Sequence, residues 1–141
     1  MIFPADRDEL RRMYLEAWQR HRDGLPLEPL QAQIADVVAA HPEYQPLLES
    51  GPDVVDRDWL PEQGSSNPFL HMGMHLAIRE QLSTDRPHGI VAVHRGLMQR
   101  FGDAHETEHR MAECLGETLW RSQRSGLPPD EDAYLDALRR L

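Results

Sequence analysis

Residues 67–82, NPFLHMGMHLAIREQL, decide how the chain folds. Asn67 and Pro68 read as a cap followed by a first-turn proline. An asparagine oxygen accepts from the early amides of a helix, and proline gives up only an N–H that has no helical partner there. The spacing predicts a helix over 69–83, with His71 and His75 one turn apart on one face. No part of the stretch alternates with period two, and no other run in the chain alternates for the length of a strand, so a sheet is not expected.

Working outward, proline and glycine divide the rest of the chain into further helices. Asp6-x-x-Glu9 has the form of a capping box, and Leu10, Met13, Tyr14, Ala17, Trp18 and His21 then keep helical spacing up to Gly24. Pro29 opens a second helix whose stripe is Leu30, Ile34, Val37, Val38 and His41, ended by Pro42 because the residue before a proline is driven out of the α region. A short helix is expected over 42–50. Residues 51–68, GPDVVDRDWLPEQGSSNP, read as an ordered loop pinned by Trp59 and Leu60. Beyond the TDRPHG turn, Ile90, His94, Leu97, Met98 and Phe101 share a face. Asp103-x-x-Glu106 repeats the capping-box pattern at the head of a long helix, and Tyr134, Leu135 and Leu138 stripe a last one. The expectation is an all-α, single-domain helical bundle over 1–141 of about six main helices: 8–21, 29–40, 69–83, 90–101, 104–124 and 130–139.

The chain of 141 residues is long enough to bury a core without disulfide or metal support. Its one cysteine, Cys114, excludes an internal disulfide framework and points to a reducing compartment. Cys114 is expected to be buried and inert, on the Met111 and Leu115 side of its helix. MIFPADRDEL holds no apolar run of signal-peptide length, and no segment approaches the ~18 apolar residues that span a bilayer. A cytoplasmic protein is expected. Acidic residues outnumber basic ones 24 to 15, for a net charge of −9, which repels nucleic-acid phosphates and anionic lipid. No nucleic-acid and no membrane partner is therefore expected. A homo-oligomer is compatible with such a surface, and no protein partner is indicated.

Eight histidines in 141 residues are a high count, and seven of them fall on or beside stripes that read as core. Two i, i+4 pairs stand out: His71 with His75, and His105 with His109. Either pair can chelate an ion. Glu113 continues the second face, giving HxxxHxxxE, and Glu106 lies within it. The candidate metal set is thus His71, His75, His105, His109, Glu113 and Glu106, suited to a zinc, iron or manganese ion. Glu106 or Glu113 would serve as the base if such a centre were catalytic. Gly73 and Gly116, beside the pairs, would permit close backbone approach. The rival expectation is a non-catalytic interaction or scaffold protein whose histidines are structural, since a lone histidine on an apolar face is usually a satisfied core residue.

Three motif readings are weaker. His105-Glu-Thr-Glu-His109 matches the HExxH pattern of zinc peptidases, but RMAECLG follows in place of a third-ligand motif and there is no strand to align a substrate. Glu106-x-x-His109 is the ExxH unit of di-iron carboxylate bundles, which use two copies where this chain has one. The histidine–carboxylate spacing is similar to that of hemerythrin-like bundles, with the motifs in a different order.

On NPFLHMGMHLAIREQL, the following DRPHGI and HRMAECLGETLWRSQRSG, the chain resembles a bacterial family known as domain of unknown function 1841. DELRRMYLEAWQRHRDGLPLEPLQAQIADVVAAHPEY and DAYLDALRRL are similar to that family as well, so the resemblance runs over nearly the whole length. It implies a small bacterial cytosolic protein and carries no activity and no site residue.

The charge reading is directly testable. At physiological salt, micromolar protein should give no salt-dependent mobility shift with duplex DNA or RNA. A shift that weakens steeply with added salt would reveal a phosphate-binding face that the −9 net charge conceals.

Overall fold

A computed structural model describes residues 7–59 and 67–141. Among them there are seven α-helices and no strand: α1 (Arg7–Arg22), α2 (Pro29–Ala39), α3 (Gln45–Glu49), α4 (Pro68–Thr84), α5 (Ile90–Phe101), α6 (Ala104–Ser125) and α7 (Glu131–Arg139). The all-α expectation holds, and no helix among the described residues is long and apolar enough to cross a membrane. The chain divides into two compact units, Met1–Leu76 and Ala77–Leu141, with the division inside α4.

In the first unit α1 packs on α2 and α3. The core joins Tyr14, Ala17 and Trp18 of α1 to Ile34, Val37 and Val38 of α2, Leu48 of α3, Val54, and Phe69, Met72 and Leu76 of α4. These are the apolar positions of each helix at three- and four-residue spacing, and burying them supplies the main drive to fold. The expected helix over 42–50 is divided into a 3-10 turn, Pro42–Tyr44, and the one-turn α3. Pro46 has no N–H to give to the carbonyl four residues back, so an unbroken α-helical ladder cannot form there. The expected loop over 51–68 contains a second 3-10 turn, Pro52–Asp56. Trp59 does pin it, packing edge-on against Phe69 at 5.8 Å. Leu60, the other expected anchor, and Asp6, the expected cap of α1, lie outside the described residues.

Arg11 is the charged residue at the centre of this unit. It is 4% exposed, and its Nη1 donates to the carbonyls of Val55 and Arg57, each at 2.8 Å. Its guanidinium lies 5.2 Å from the Trp59 ring and 5.1 Å from the Phe69 ring. Burial, and secondarily the charge of Arg7, push its pKa down, yet a guanidinium starts so high that it stays charged. Arg11 therefore fastens the Pro52–Asp56 turn and the first turn of α4 to α1.

In the second unit α5, α6 and α7 pack pairwise around Ile90, Leu97, Met111, Ala112, Leu115, Tyr134, Leu135 and Leu138. Gly102 and Gly126 end α5 and α6 at φ +71° and +72°, and their N–H groups bond to the carbonyls of Met98 and Ser122. That left-handed turn-off is one that side chains with a Cβ resist. Asp130 caps α7 by accepting from the Ala133 amide at 3.0 Å. The expected capping box at Asp103 is half formed. Asp103 accepts from the His105 amide at 3.3 Å, but Glu106 turns away to Arg110 at 2.7 Å, where an i, i+4 charge pair outweighs a return to the backbone. A reciprocal contact stands instead at α2, where the Glu28 amide donates to the Gln31 side chain at 2.9 Å.

Replacing Arg11→Ala removes two charge-assisted hydrogen bonds and strands two carbonyls, so the first unit should lose about 3 kcal/mol of stability. Urea unfolding of wild type and variant measures this. A loss under about 1 kcal/mol would mean that water replaces the guanidinium at little cost.

Candidate metal centre

Three histidines of the first unit come together. Asn67 sets the register of two of them, because its Oδ1 accepts from the amides of Phe69 (3.0 Å) and Leu70 (3.2 Å) and its carbonyl accepts from the His71 amide at 3.0 Å. With the helix begun there, His71 and His75 fall one turn apart, and their Nε2 atoms are 3.1 Å from each other. The third is His41, just past α2. Pro42 keeps it out of the helical region (φ −124°, ψ 71°), so the ring turns back along the helix and its Nδ1–H donates to the Val37 carbonyl at 2.7 Å.

That bond decides the tautomer. With Nδ1 holding the proton, Nε2 of His41 carries the lone pair, the form in which imidazole binds a metal. The His41 ring centroid lies 4.5 Å from His75 and 5.2 Å from His71, and those two are 4.7 Å apart. One ligand nitrogen from each residue lies within 4.8 Å of the other two. A tetrahedral ion with bonds of about 2.05 Å sets its donors about 3.3 Å apart. The His71–His75 pair already has that spacing, and small side-chain rotations would bring in His41. His41 and His75 are fully buried, and His71 is half-buried. Tyr44 completes the aromatic wall, stacked on His41 at 5.5 Å and edge-on to His71 at 5.8 Å. Burial, with Glu43 adding to it, pushes its phenol up.

The structure thus brings His71 and His75 together and supplies a partner, His41, that the spacing of the helix pairs does not point to. The α6 candidates are arranged differently. The His105 and His109 rings lie 6.4 Å apart, nearly parallel. Glu113 reaches within 3.7 Å of His109 Nδ1, and Glu106 is ion-paired with Arg110. His105 is exposed and His109 half-buried, so a polar cap and a wet helix face hold positions that read as core stripe. His21 is exposed too, stacked on Trp18 at 5.2 Å in the last turn of α1. Neither glycine near the pairs serves close approach. A Cβ at Gly73 would meet only the Tyr14 hydroxyl at 3.9 Å, and one at Gly116 would meet nothing within 4 Å.

Cys114 lies in a groove of about 710 Å³ between α6 and α7, lined also by Glu117, Thr118, Arg121, Ala133 and Arg140. It is a free thiol, half-buried where full burial was expected, because this groove opens one side of the helix pair. Burial first, then the charges of Glu113 and Glu117, push its pKa up.

The profile of the family described as Domain of unknown function (DUF1841) matches residues 6–140, so the chain belongs to that family. No curated protein and no solved structure matches the chain.

The thiol can be tested at once. Because the thiolate is the reactive form, Cys114 should label slowly at neutral pH and speed up only above the ordinary thiol range. Replacing Glu117→Gln removes one of the charges that hold the thiolate back, so labelling at mildly alkaline pH should quicken. Rapid labelling of folded wild type at neutral pH would contradict the raised pKa.

Proposed function

We propose that this protein binds a divalent transition-metal ion through His41, His71 and His75. The observation that carries the reading is the convergence of three ligand nitrogens within 4.8 Å of one another, two of them on fully buried residues. The His41–Val37 bond is the kind of outer contact that orients a metal ligand. An all-nitrogen set favours zinc or iron over manganese, which prefers oxygen donors. On α6, His105, His109, Glu113 and Glu106 form the weaker candidate set, since solvent and Arg110 compete for their donors. We read the protein as cytosolic and bacterial, on its lone cysteine and the family resemblance, and without a nucleic-acid or membrane partner.

The rival is a scaffold or interaction protein in which the trio is structural. One observation favours it: the rings already bond among themselves and to the backbone, through His75 to His71 and His41 to Val37. Contacts of this kind can hold buried imidazoles in place without an ion.

Elemental analysis and zinc titration of protein purified without a histidine tag separate the two. The metal reading expects about one equivalent of zinc per chain, an affinity weakened by more than about tenfold in His41→Ala, and a gain near 2.7 kcal/mol in stability when free zinc is about a hundred times Kd. If zinc is neither retained nor taken up, and thermal unfolding ignores it, the structural reading stands.

A further inference from the structure

The second unit carries the groove of about 710 Å³ between α6 and α7. Its floor is built from small side chains, Cys114 and Thr118 on α6 and Ala133 and Ala137 on α7. Each pair is four residues apart and so shares one face of its helix. The lining on α6 runs over 113–125, roughly 18 Å at the helical rise of 1.5 Å per residue, which is room for about three turns of another helix laid alongside. With nothing larger than a threonine on the floor, a third backbone can approach closely. At one end stands Leu127, 66% exposed. Its turn is fastened, because Ser122 Oγ donates to the Leu127 carbonyl at 2.6 Å and Ser125 Oγ accepts from its amide at 3.2 Å. Leu127 thus offers a fixed apolar contact at the mouth of the groove.

The rim is acidic. Four carboxylates line the groove, Glu113, Glu117, Asp130 and Asp136, against the two guanidiniums of Arg121 and Arg140, for a net charge of −2. Glu117 is paired with Arg121 at 2.9 Å and Asp136 with Arg139 at 3.0 Å. Both pairs are exposed and so hold little free energy, and an incoming cation can compete for either acid. The negative field reaches the floor, where burial first, then Glu113 and Glu117, push the Cys114 thiol up. A second copy of the chain suits this surface badly, since a net charge of −9 would meet its own kind across an acidic rim. We propose that the groove docks one basic, amphipathic helix of a partner protein. The apolar stripe of that helix covers the α6–α7 floor and meets Leu127, while its arginines or lysines face Glu113, Glu117 and Asp136. The floor supplies affinity, and the rim selects basic helices over acidic ones. No metal ion takes part, so this site stands or falls apart from the histidine centre.

The probe is a fluorescent peptide of about 14 residues, with leucines at helical three- and four-residue spacing and arginines on the flanks. It is titrated with the full chain at physiological salt while anisotropy is followed. Saturable one-to-one binding is expected, and none from the counterpart that carries glutamates in place of the arginines. Attraction to the whole acidic chain is told apart from seating in the groove by where charge is reversed. Glu117→Arg with Asp136→Arg should weaken binding by more than about tenfold. Glu16→Arg with Asp36→Arg makes the same change of net charge at exposed positions of the first unit, and should alter binding by less than about threefold. Ala133→Glu fills exposed floor in the first turn of α7, where an acid suits the helix. It should weaken seating, although bare charge attraction would tighten. Far-UV circular dichroism checks that each variant keeps its helices. No binding of the arginine peptide, equal losses in the two reversed chains, or tighter binding by Ala133→Glu would each overturn the docking site. Sedimentation of the chain alone tests the other occupant: a dimer that the groove reversal dissolves would put a second copy there and overturn the basic helix.

Discussion

A guanidinium that leaves water must find its hydrogen-bond acceptors inside the protein, and Arg11 finds them in two backbone carbonyls rather than in a carboxylate. The first unit is arranged around that requirement. Val55 and Arg57 can offer their carbonyls only while the Pro52–Asp56 turn lies against α1, and the faces of the cation are covered only while Trp59 and Phe69 stay in place. Phe69 opens α4, two residues before His71. The contact that shelters the arginine therefore also holds the start of the helix that carries two of the three clustered histidines. Neutral acceptors do not cancel the charge, so the arrangement depends on its geometry being complete.

The histidine cluster follows from a second constraint, the end of α2. Pro42 ends the α-helix, and His41, held out of the helical region, satisfies the Val37 carbonyl with its ring N–H. A residue that caps a helix in this way has its ring orientation and tautomer settled by the backbone. Its other nitrogen then carries the lone pair, in a ring whose centroid lies 4.5 Å from that of His75 and 5.2 Å from that of His71. Capping and metal-ligand orientation are one geometry here, which is why a structural polar cluster and a metal site can be built from the same three residues and differ only in what the acceptor nitrogens bind.

Local signals in the chain carried a good deal of this. Asn67-Pro68 marks the start of α4, and the structure puts both cap bonds there. Gly102 and Gly126 end their helices, and all six main helices match their expected ranges to within a residue at each end. Signals that depend on competition between partners were less legible. Glu106 has the position of a capping-box residue but a stronger attraction to Arg110 one turn along. His21 and His105 keep the spacing of a buried stripe, yet they sit at helix ends, where the stripe runs out to solvent. The segment over 42–56 reads as helix then loop and folds as two 3-10 turns flanking one α turn, because its prolines break the hydrogen-bond ladder at close intervals.

By itself the sequence determined the helical class, the caps and stops, and the pairing of His71 with His75. Each of these depends on residues within one or two turns of each other, where the 3.6-residue period dictates who meets whom. Only the tertiary structure decided that His41 is the third member of the group. Thirty positions separate it from His71, and no period links residues so far apart. They meet because α1, α2 and α4 bury their apolar faces in one core, and because a proline turns His41 inward where α2 ends.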